Sequence, residues 1–482
     1  MIDLPLLDTR STVQSDKSAV RQQLYWNHFA YPVEVGEVPH VFLTDRSTFV
    51  RVSKQLAGLL SKRPSNGEAP EFSPDLERSL FDVGLLSADT PQAQFNSVMV
   101  RAPRDTELRL LHIITSYTCN LTCKYCFMLS DLGKSNSRKF LPFTEAKQGI
   151  DLYFSRPHRP NSLVNFYGGE PLLHPQLVED CLDYITSNYS TEIIPKIVTN
   201  GTLIGERVGR LMSKYRFDLA VSMDGDEKAH NVYRVDHQGR GSYEKVVAGI
   251  RYFQQEVGNN PKVIITVGEH NIRRLPEVVQ SVLDLEPKAI YLSFPRELHN
   301  VSSGLDDDIT DFHFWVDQYA RSLDACFKRG VPELNFAEML SAFLSGKPVM
   351  SPCAACGNQM SVGPGAKVGP CQAFVAAGKF TEPLPLLQIE PRPRAFADWE
   401  NVSKASSRKC TSCPISAICG GDCSFDRFNR TGSLHEPLQF HCDLRLKMAS
   451  ILAERAITGK PVDFASDHGQ PNRVCIQQAG EV

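Results

Sequence analysis

Cys119-Asn120-Leu121-Thr122-Cys123-Lys124-Tyr125-Cys126 places three thiols in eight residues, in the order CxxxCxxC. The run follows an apolar, β-rich segment at residues 108–115. Three thiolates in one short loop can hold three irons of a cubane cluster, which leaves the fourth iron without a protein ligand. An open coordination position is what a metal needs to engage a substrate or cofactor, as in three-ligand catalytic zinc. A zinc knuckle that borrows a ligand from elsewhere is the competing reading.

Outward from this loop, further polar groups stand at the ends of β-rich segments. Six such segments occupy residues 108–115, 163–167, 194–199, 218–223, 263–267 and 290–294. Between the fourth and fifth, Val246, Val247, Ile250, Phe253 and Val257 recur with helical period over residues 244–257. Strands alternating with helices imply a parallel sheet with right-handed crossovers. Six units suit an open α/β partial barrel, (β/α)6, whose chemistry sits at the C-terminal strand ends. Phe166-Tyr167-Gly168-Gly169-Glu170-Pro171 closes the second strand, and its paired glycines allow close backbone approach. Thr199-Asn200-Gly201-Thr202 ends the third and Ser222-Met223-Asp224-Gly225 the fourth. Each alone could be a turn; together they ring one mouth.

The 482 residues suggest two to four domains. A net charge of −3 argues against broad nucleic-acid binding. No apolar run is long enough to span a bilayer. The start, Met1-Ile2-Asp3-Leu4, lacks signal-peptide order, so a cytoplasmic location is expected. In such a setting the 14 cysteines point to metal ligation rather than disulfides. Cys181, Cys326 and Cys475 stand apart as ordinary thiols.

Four regions follow. In residues 1–100, a polar turn, Asp45-Arg46-Ser47, splits residues 41–52 into two β-rich arms and predicts a hairpin. Short helices are expected over 54–60 and 74–81, either side of a Pro/Gly/Ser-rich break at 63–70. Hairpin plus small helices is a winged-helix pattern or a capping subdomain. Residues 101–330 are the barrel. Residues 331–447, rich in Cys, Gly and Pro and poor in periodicity, are expected to fold around metal. Residues 448–482 continue a helix expected over 444–457 and end in a polar, mobile tail.

The third region holds Cys353, Cys356 and Cys371, then Cys410, Cys413, Cys419 and Cys423 as CxxCx5CxxxC, then Cys442. Eight thiolates suffice for two fully ligated four-iron clusters. Two zinc sites would satisfy the same count.

The CxxxCxΦC loop, with Tyr125 as Φ, followed by Gly168-Gly169-Glu170-Pro171, resembles the radical S-adenosylmethionine (SAM) superfamily. The resemblance implies that Cys119, Cys123 and Cys126 bind a [4Fe–4S] cluster whose open iron is chelated by SAM. Gly168, Gly169, Glu170 and Pro171 would hold the methionine amino group, with Tyr125 and Phe127 near the adenine. Ser222 and Arg234 match positions that contact ribose and methionine carboxylate, and Asn200 joins this cofactor-binding set. After Thr266, Val267-Gly268-Glu269-His270-Asn271 follows the family's next strand end only loosely. No general base is assigned, since Asp224, Glu269 and His270 have ordinary structural readings.

The second cysteine set resembles the SPASM extension of peptide maturases. That implies two auxiliary [4Fe–4S] clusters with interleaved ligands: Cys353, Cys356, Cys371 and Cys423 for one, Cys410, Cys413, Cys419 and Cys442 for the other. The Gly365-to-Cys371 spacing is one residue longer than the common pattern. The N-terminal unit, closing on Leu80-Phe81-Asp82-Val83-Gly84-Leu85-Leu86, resembles a RiPP recognition element, which binds the leader of a ribosomally made precursor peptide. The whole looks closest to maturases of His-Xaa-Ser and cyclophane-forming systems. A reduced flavodoxin or ferredoxin would supply the electron, and a 5′-deoxyadenosyl radical would start a C–C, C–O or thioether cross-link. An anaerobic sulfatase-maturing enzyme, which makes formylglycine, is the alternative. Those enzymes carry an Asp base directly after the extension's third cysteine, where this chain has Gln372.

Overall fold

The computed structural model describes residues 23–99, 107–126, 128, 140–293, 312–351, 353–383, 396, 399, 402, 406–460, 462–465 and 471–474. Phe127 and Cys475 lie outside the described residues.

The N-terminal unit is a three-stranded antiparallel sheet in the order β1 (Ala30–Val35), β2 (Val38–Leu43), β3 (Thr48–Arg51). The β2–β3 pair is the hairpin that the polar turn predicted, with Ser47 at φ 53° in that turn. β1 went unread because only Gly36 and Glu37 separate it from β2, and Gly36 takes φ 63°. Three helices complete the unit: α1 (Lys54–Ser61), α2 (Pro74–Asp82) and α3 (Pro91–Met99). Ser53 caps α1 by accepting from the Leu56 amide at 3.1 Å. Trp26, Val41, Leu43, Val50, Leu56, Leu60 and Leu80 form its core.

The main sheet holds six parallel strands side by side in chain order. These are β4 (Leu108–Ser116), β5 (His158–Gly168), β6 (Ile193–Thr199), β7 (Asp218–Ser222), β8 (Lys262–Thr266) and β9 (Ala289–Ser293). Helices α4 (Phe143–Phe154), α5 (Pro175–Asn188), α6 (Glu206–Tyr215), α7 (Glu227–Tyr233), α8 (Tyr243–Val257) and α9 (Leu275–Leu283) fall between them. The expected six strands and the helix at 244–257 are all present. β5 begins five residues early, carrying Pro160 and Asn161 (φ 58°), which break the apolar pattern at its start.

Alternation gives the sheet two unlike faces. Val164, Phe166, Ile197, Val263, Ile265, Ile290 and Leu292 are buried in one core with Ile150, Val246, Ile250, Phe253 and Val278 of the helices. Register carries the opposite face across the strands: His112 pairs with Asn165, Asn165 with Lys196, Ser222 with Ile264, and Ile264 with Tyr291. That second face mixes polar with apolar side chains, and Lys196, Ser222 and Thr266 on it are only half-buried.

Beyond β4 the sheet continues through β10 (Gln359–Gly363), parallel to it, and the antiparallel β11 (Lys367–Gly369). Glu145 of α4 pins the intervening turn by accepting from the Gly365 and Ala366 amides at 3.0 and 2.9 Å. Helices α10 (Phe312–Arg329) and α11 (Leu334–Ser345) precede this extension. The region after 331 was expected to lack periodic structure, yet α11 buries Phe336, Met339, Leu340 and Phe343. α12 (Gln372–Ala377), α13 (Arg408–Thr411), α14 (Ser424–Thr431) and α15 (Gln439–Thr458) follow. α15 starts five residues before the expected helix and so includes Cys442.

Candidate active site

The loop after β4 is fixed by its neighbours' backbones. The Thr122 amide donates to Val235 O at 2.8 Å and the Lys124 amide to Tyr233 O at 3.2 Å. On its other side the end of β5 lies against it: Gly169 N donates to Ser116 O at 2.8 Å and Glu170 N to Thr118 O at 2.9 Å. A Cβ on Gly169 would stand 2.0 Å from Thr118 O, and one on Gly168 2.4 Å from Ser116 O. The paired glycines therefore serve the approach of β5 to the cysteine loop.

Glu170 is fully buried and its carboxylate accepts from Thr199 Oγ1 (2.7 Å), the Asn200 amide (2.7 Å) and the Leu172 amide (3.0 Å). Burial pushes its pKa up to about 7 against the pull of these three donors. The carboxylate thus ties the ends of β5 and β6 together. Pro171 starts a short 3₁₀ turn behind it. Asn200 points the other way, its Nδ2 donating to Asn120 Oδ1 at 2.9 Å and to Cys119 Sγ at 3.6 Å. The Leu121 amide also donates to Cys119 Sγ, at 3.4 Å.

Asp224, at the end of β7, is the centre of a second buried network. It accepts from Tyr125 Oη at 2.5 Å and the Thr266 amide at 3.0 Å, while Arg234 Nε lies 3.0 Å and His270 Nε2 3.3 Å away. Burial alone would raise its pKa, but Arg234 and His270 outweigh burial and hold Asp224 well below the usual carboxylate range. Arg234 also sits over the Tyr125 ring at 5.3 Å. Both Tyr125 and Arg234 are thereby held by Asp224. Ser222 lies half-buried on the second face at the end of β7.

The sequence missed several members of this site. Asn271 Nδ2 donates to Thr266 O at 2.9 Å and to Asp224 O at 3.3 Å. The only cue was a polar His270-Asn271 pair just past the fifth barrel strand. Thr199, read from the sequence as one of the strand-end polar groups at the mouth, is the hydroxyl donor to Glu170, a role the sequence did not assign. Tyr117 is 5% exposed, and its hydroxyl has no hydrogen-bond partner among the described residues.

The donor set suits a cluster. Burial pushes Cys119 up to about 12 and Cys123 to about 11, so bare thiolates are unfavourable there, and iron bound at this loop would supply the compensating positive charge. Among the described residues no three His, Cys, Asp or Glu side chains converge on one ion. A cubane differs in taking each cysteine on a separate iron.

The later cysteines fall into two neighbourhoods. Cys356 and Cys371 share a small core with Phe374, Trp399 and Phe425, and Cys353 and Cys423 pack against it. Cys413 interacts electrostatically with Cys419, Cys410 and Cys442, while burial pushes its pKa up to about 12. The Ala355 amide donates to Cys353 Sγ at 3.3 Å and the Gly421 amide to Cys419 Sγ at 3.2 Å. Gln372 follows Cys371 at the start of α12, its Oε1 accepting from Gln359 Nε2 at 3.3 Å.

Residues 113–282 match the family model of the radical SAM superfamily. This segment is a radical SAM domain. A serine-type anaerobic sulfatase-maturating enzyme of Bacteroides thetaiotaomicron is 23% identical over 67% of this chain and 84% of its own length. The solved structure of native anSMEcpe with bound AdoMet and Cp18Cys peptide superposes with TM-score 0.61, at 21% identity, over 73% of this chain and 98% of that one. Streptococcus suis SuiB bound to its precursor peptide SuiA superposes with TM-score 0.51, at 14% identity, over 87% of this chain and 98% of that one. The cysteine loop of the radical SAM domain closes β4, at the C-terminal end of the parallel sheet where β5, β6 and β7 also terminate. No helix among the described residues is long and apolar enough to cross a membrane.

Proposed function

We propose that this radical SAM enzyme modifies a ribosomally made precursor peptide, installing a cross-link within its core. The observation that carries the reading is the three-cysteine loop at the C-terminal mouth of a parallel sheet, beside the half-buried Lys196, Ser222 and Thr266. Cys119, Cys123 and Cys126 would hold a [4Fe–4S] cluster, and Gly168, Gly169, Ser222 and Asn200 would line the SAM site. With SAM and one electron, that bound cluster supplies a 5′-deoxyadenosyl radical able to take hydrogen from a side chain.

The chain's own groups hold the arrangement. Asn200 fixes the Cys119 sulfur, and Glu170 keeps the β5 and β6 ends in register. The buried Asp224–Arg234–Tyr125–His270 group walls one side of the mouth and excludes water. Two auxiliary clusters, ligated by Cys353, Cys356, Cys371 and Cys423 and by Cys410, Cys413, Cys419 and Cys442, would make the SPASM extension. The grouping of those thiols into two neighbourhoods supports this division.

The N-terminal sheet, a winged-helix-like recognition unit, would take the leader as an added strand. β1 lies against α15, Tyr31 Oη donating to Leu446 O at 3.2 Å, so β3 is the edge available. Tethering there raises the effective concentration of the core peptide at the barrel mouth. A flavodoxin or ferredoxin would deliver the electron.

Similarity to sulfatase-maturating enzymes favours a second reading, formylglycine formation. Gln372 weighs against it, because an amide cannot accept the proton that an aspartate would. Co-expression with candidate precursors, followed by mass spectrometry, separates the two. Loss of two hydrogens from the core, with fragment ions that keep two residues joined, supports cross-linking, since serine oxidation to formylglycine also loses two hydrogens but joins nothing. An unmodified peptide beside a formylglycine-bearing sulfatase supports the second reading.

A further inference from the structure

We propose that the N-terminal sheet is also a structural wall of the second auxiliary site, with Thr44 and Tyr31 as its positioning residues. The inference rests on the reading that Cys410, Cys413, Cys419 and Cys442 hold a cluster.

Those four ligands come from two segments, a loop (410–419) and the first turn of α15, and the N-terminal unit grips both. Thr44 is 2% exposed, and its hydroxyl donates to Pro414 O at 2.5 Å, one residue past Cys413. Phe29, Phe95 and Met99 form a buried cluster with Ala417, two residues before Cys419. On the second segment, Tyr31 Oη donates to Leu446 O at 3.2 Å and lies 3.0 Å from Ser450 Oγ. Leu446 sits one helical turn after Cys442 on the same helix.

The polar choices are specific. A knuckle carbonyl such as Pro414 O, placed in a buried junction, needs a donor from outside its own loop. Thr44 supplies it from the turn joining β2 to β3, the proposed peptide-binding edge. The other end of that turn is anchored as well, Ser47 Oγ donating to Phe343 O at 2.7 Å. The recognition sheet and the cluster loop therefore share one turn, so what fixes one helps to fix the other.

The test compares Thr44→Val, Thr44→Ser and Tyr31→Phe with the unaltered full chain after anaerobic reconstitution, following iron release to a chelator. With three cubanes the starting chain holds about twelve irons. Thr44→Val and Tyr31→Phe should release about a third of them roughly fivefold faster, the factor one net hydrogen bond carries, leaving the rest at the original rate. Thr44→Ser keeps the hydroxyl and should behave as the unaltered chain. In metal-free protein, amide exchange of residues 412–419 should quicken in Thr44→Val alone. Should Thr44→Val fail to fold, Tyr31→Phe decides.

Unchanged release and exchange in both hydroxyl-deleted variants overturns the proposal. The underlying reading fails separately: a Cys410→Ala/Cys413→Ala chain that keeps its full iron content shows that no cluster sits there.

Discussion

Gly169→Ala probes the closest backbone contact in the radical SAM domain. The added Cβ would stand 2.0 Å from Thr118 O and 2.4 Å from Thr118 C, both backbone atoms that no rotamer change can move. Relief requires the β5 end and the cysteine loop to part by about 1 Å, which carries two bonds beyond hydrogen-bonding length. Those are Gly169 N to Ser116 O (2.8 Å) and Glu170 N to Thr118 O (2.9 Å). Leaving buried partners unsatisfied costs about 1–3 kcal/mol per bond, so the barrel should lose about 2–6 kcal/mol. The loop must shift as well, so SAM affinity and the iron that Cys119, Cys123 and Cys126 would hold under the proposed function should both fall. Urea unfolding of the metal-free chain measures the first effect, and iron analysis with anaerobic SAM titration the second. Gly205→Ala is the control: Gly205 has φ −163°, and its Cβ would meet nothing within 4 Å. A Gly169→Ala chain with the control's urea midpoint, iron content and SAM affinity would refute the claim that the paired glycines exist for this contact.

Four further outcomes are expected. Asn200→Ala removes a donor 3.6 Å from Cys119 Sγ and should lower the midpoint potential of the SAM-binding cluster by about 40 mV, the worth of one hydrogen bond, measured by EPR-monitored titration. Glu170 has a folded pKa of about 7 against 4.5 in the unfolded chain, so the folded state binds its proton more tightly. Its contribution is complete below about pH 4.5 and is lost as pH rises towards about 7; Glu170→Gln should flatten that part of the urea-midpoint profile. Tyr125→Phe leaves the fully buried Asp224 short of its 2.5 Å donor and should cost about 1–3 kcal/mol in the same unfolding assay. Cys356→Ala should remove about four irons, one cubane, and leave SAM cleavage detectable.

The parallel sheet was legible because its strands are short apolar runs separated by helix-length gaps, and the chemistry-bearing loop because three cysteines crowd eight residues. Other features were hidden for physical reasons. β1 is separated from β2 by a two-residue turn, so the two strands merge into one β-rich stretch. α11 lies in a cysteine-rich region where metal ligation was expected to replace ordinary packing, although Phe336 and Met339 are wholly buried. His270 and Asn271 reach Asp224 only because the loop after β8 turns back over the sheet, and no local spacing announces that. The grip of Thr44 on Pro414 spans 370 residues and is set by tertiary packing alone.

The most direct measurement is 5′-deoxyadenosine formed when anaerobically reconstituted chain is given SAM and dithionite. The account predicts steady reductive cleavage, abolished in Cys123→Ala and retained when Cys410 and Cys413 are replaced. Absence of 5′-deoxyadenosine from iron-loaded protein, or equal amounts from Cys123→Ala, would contradict it.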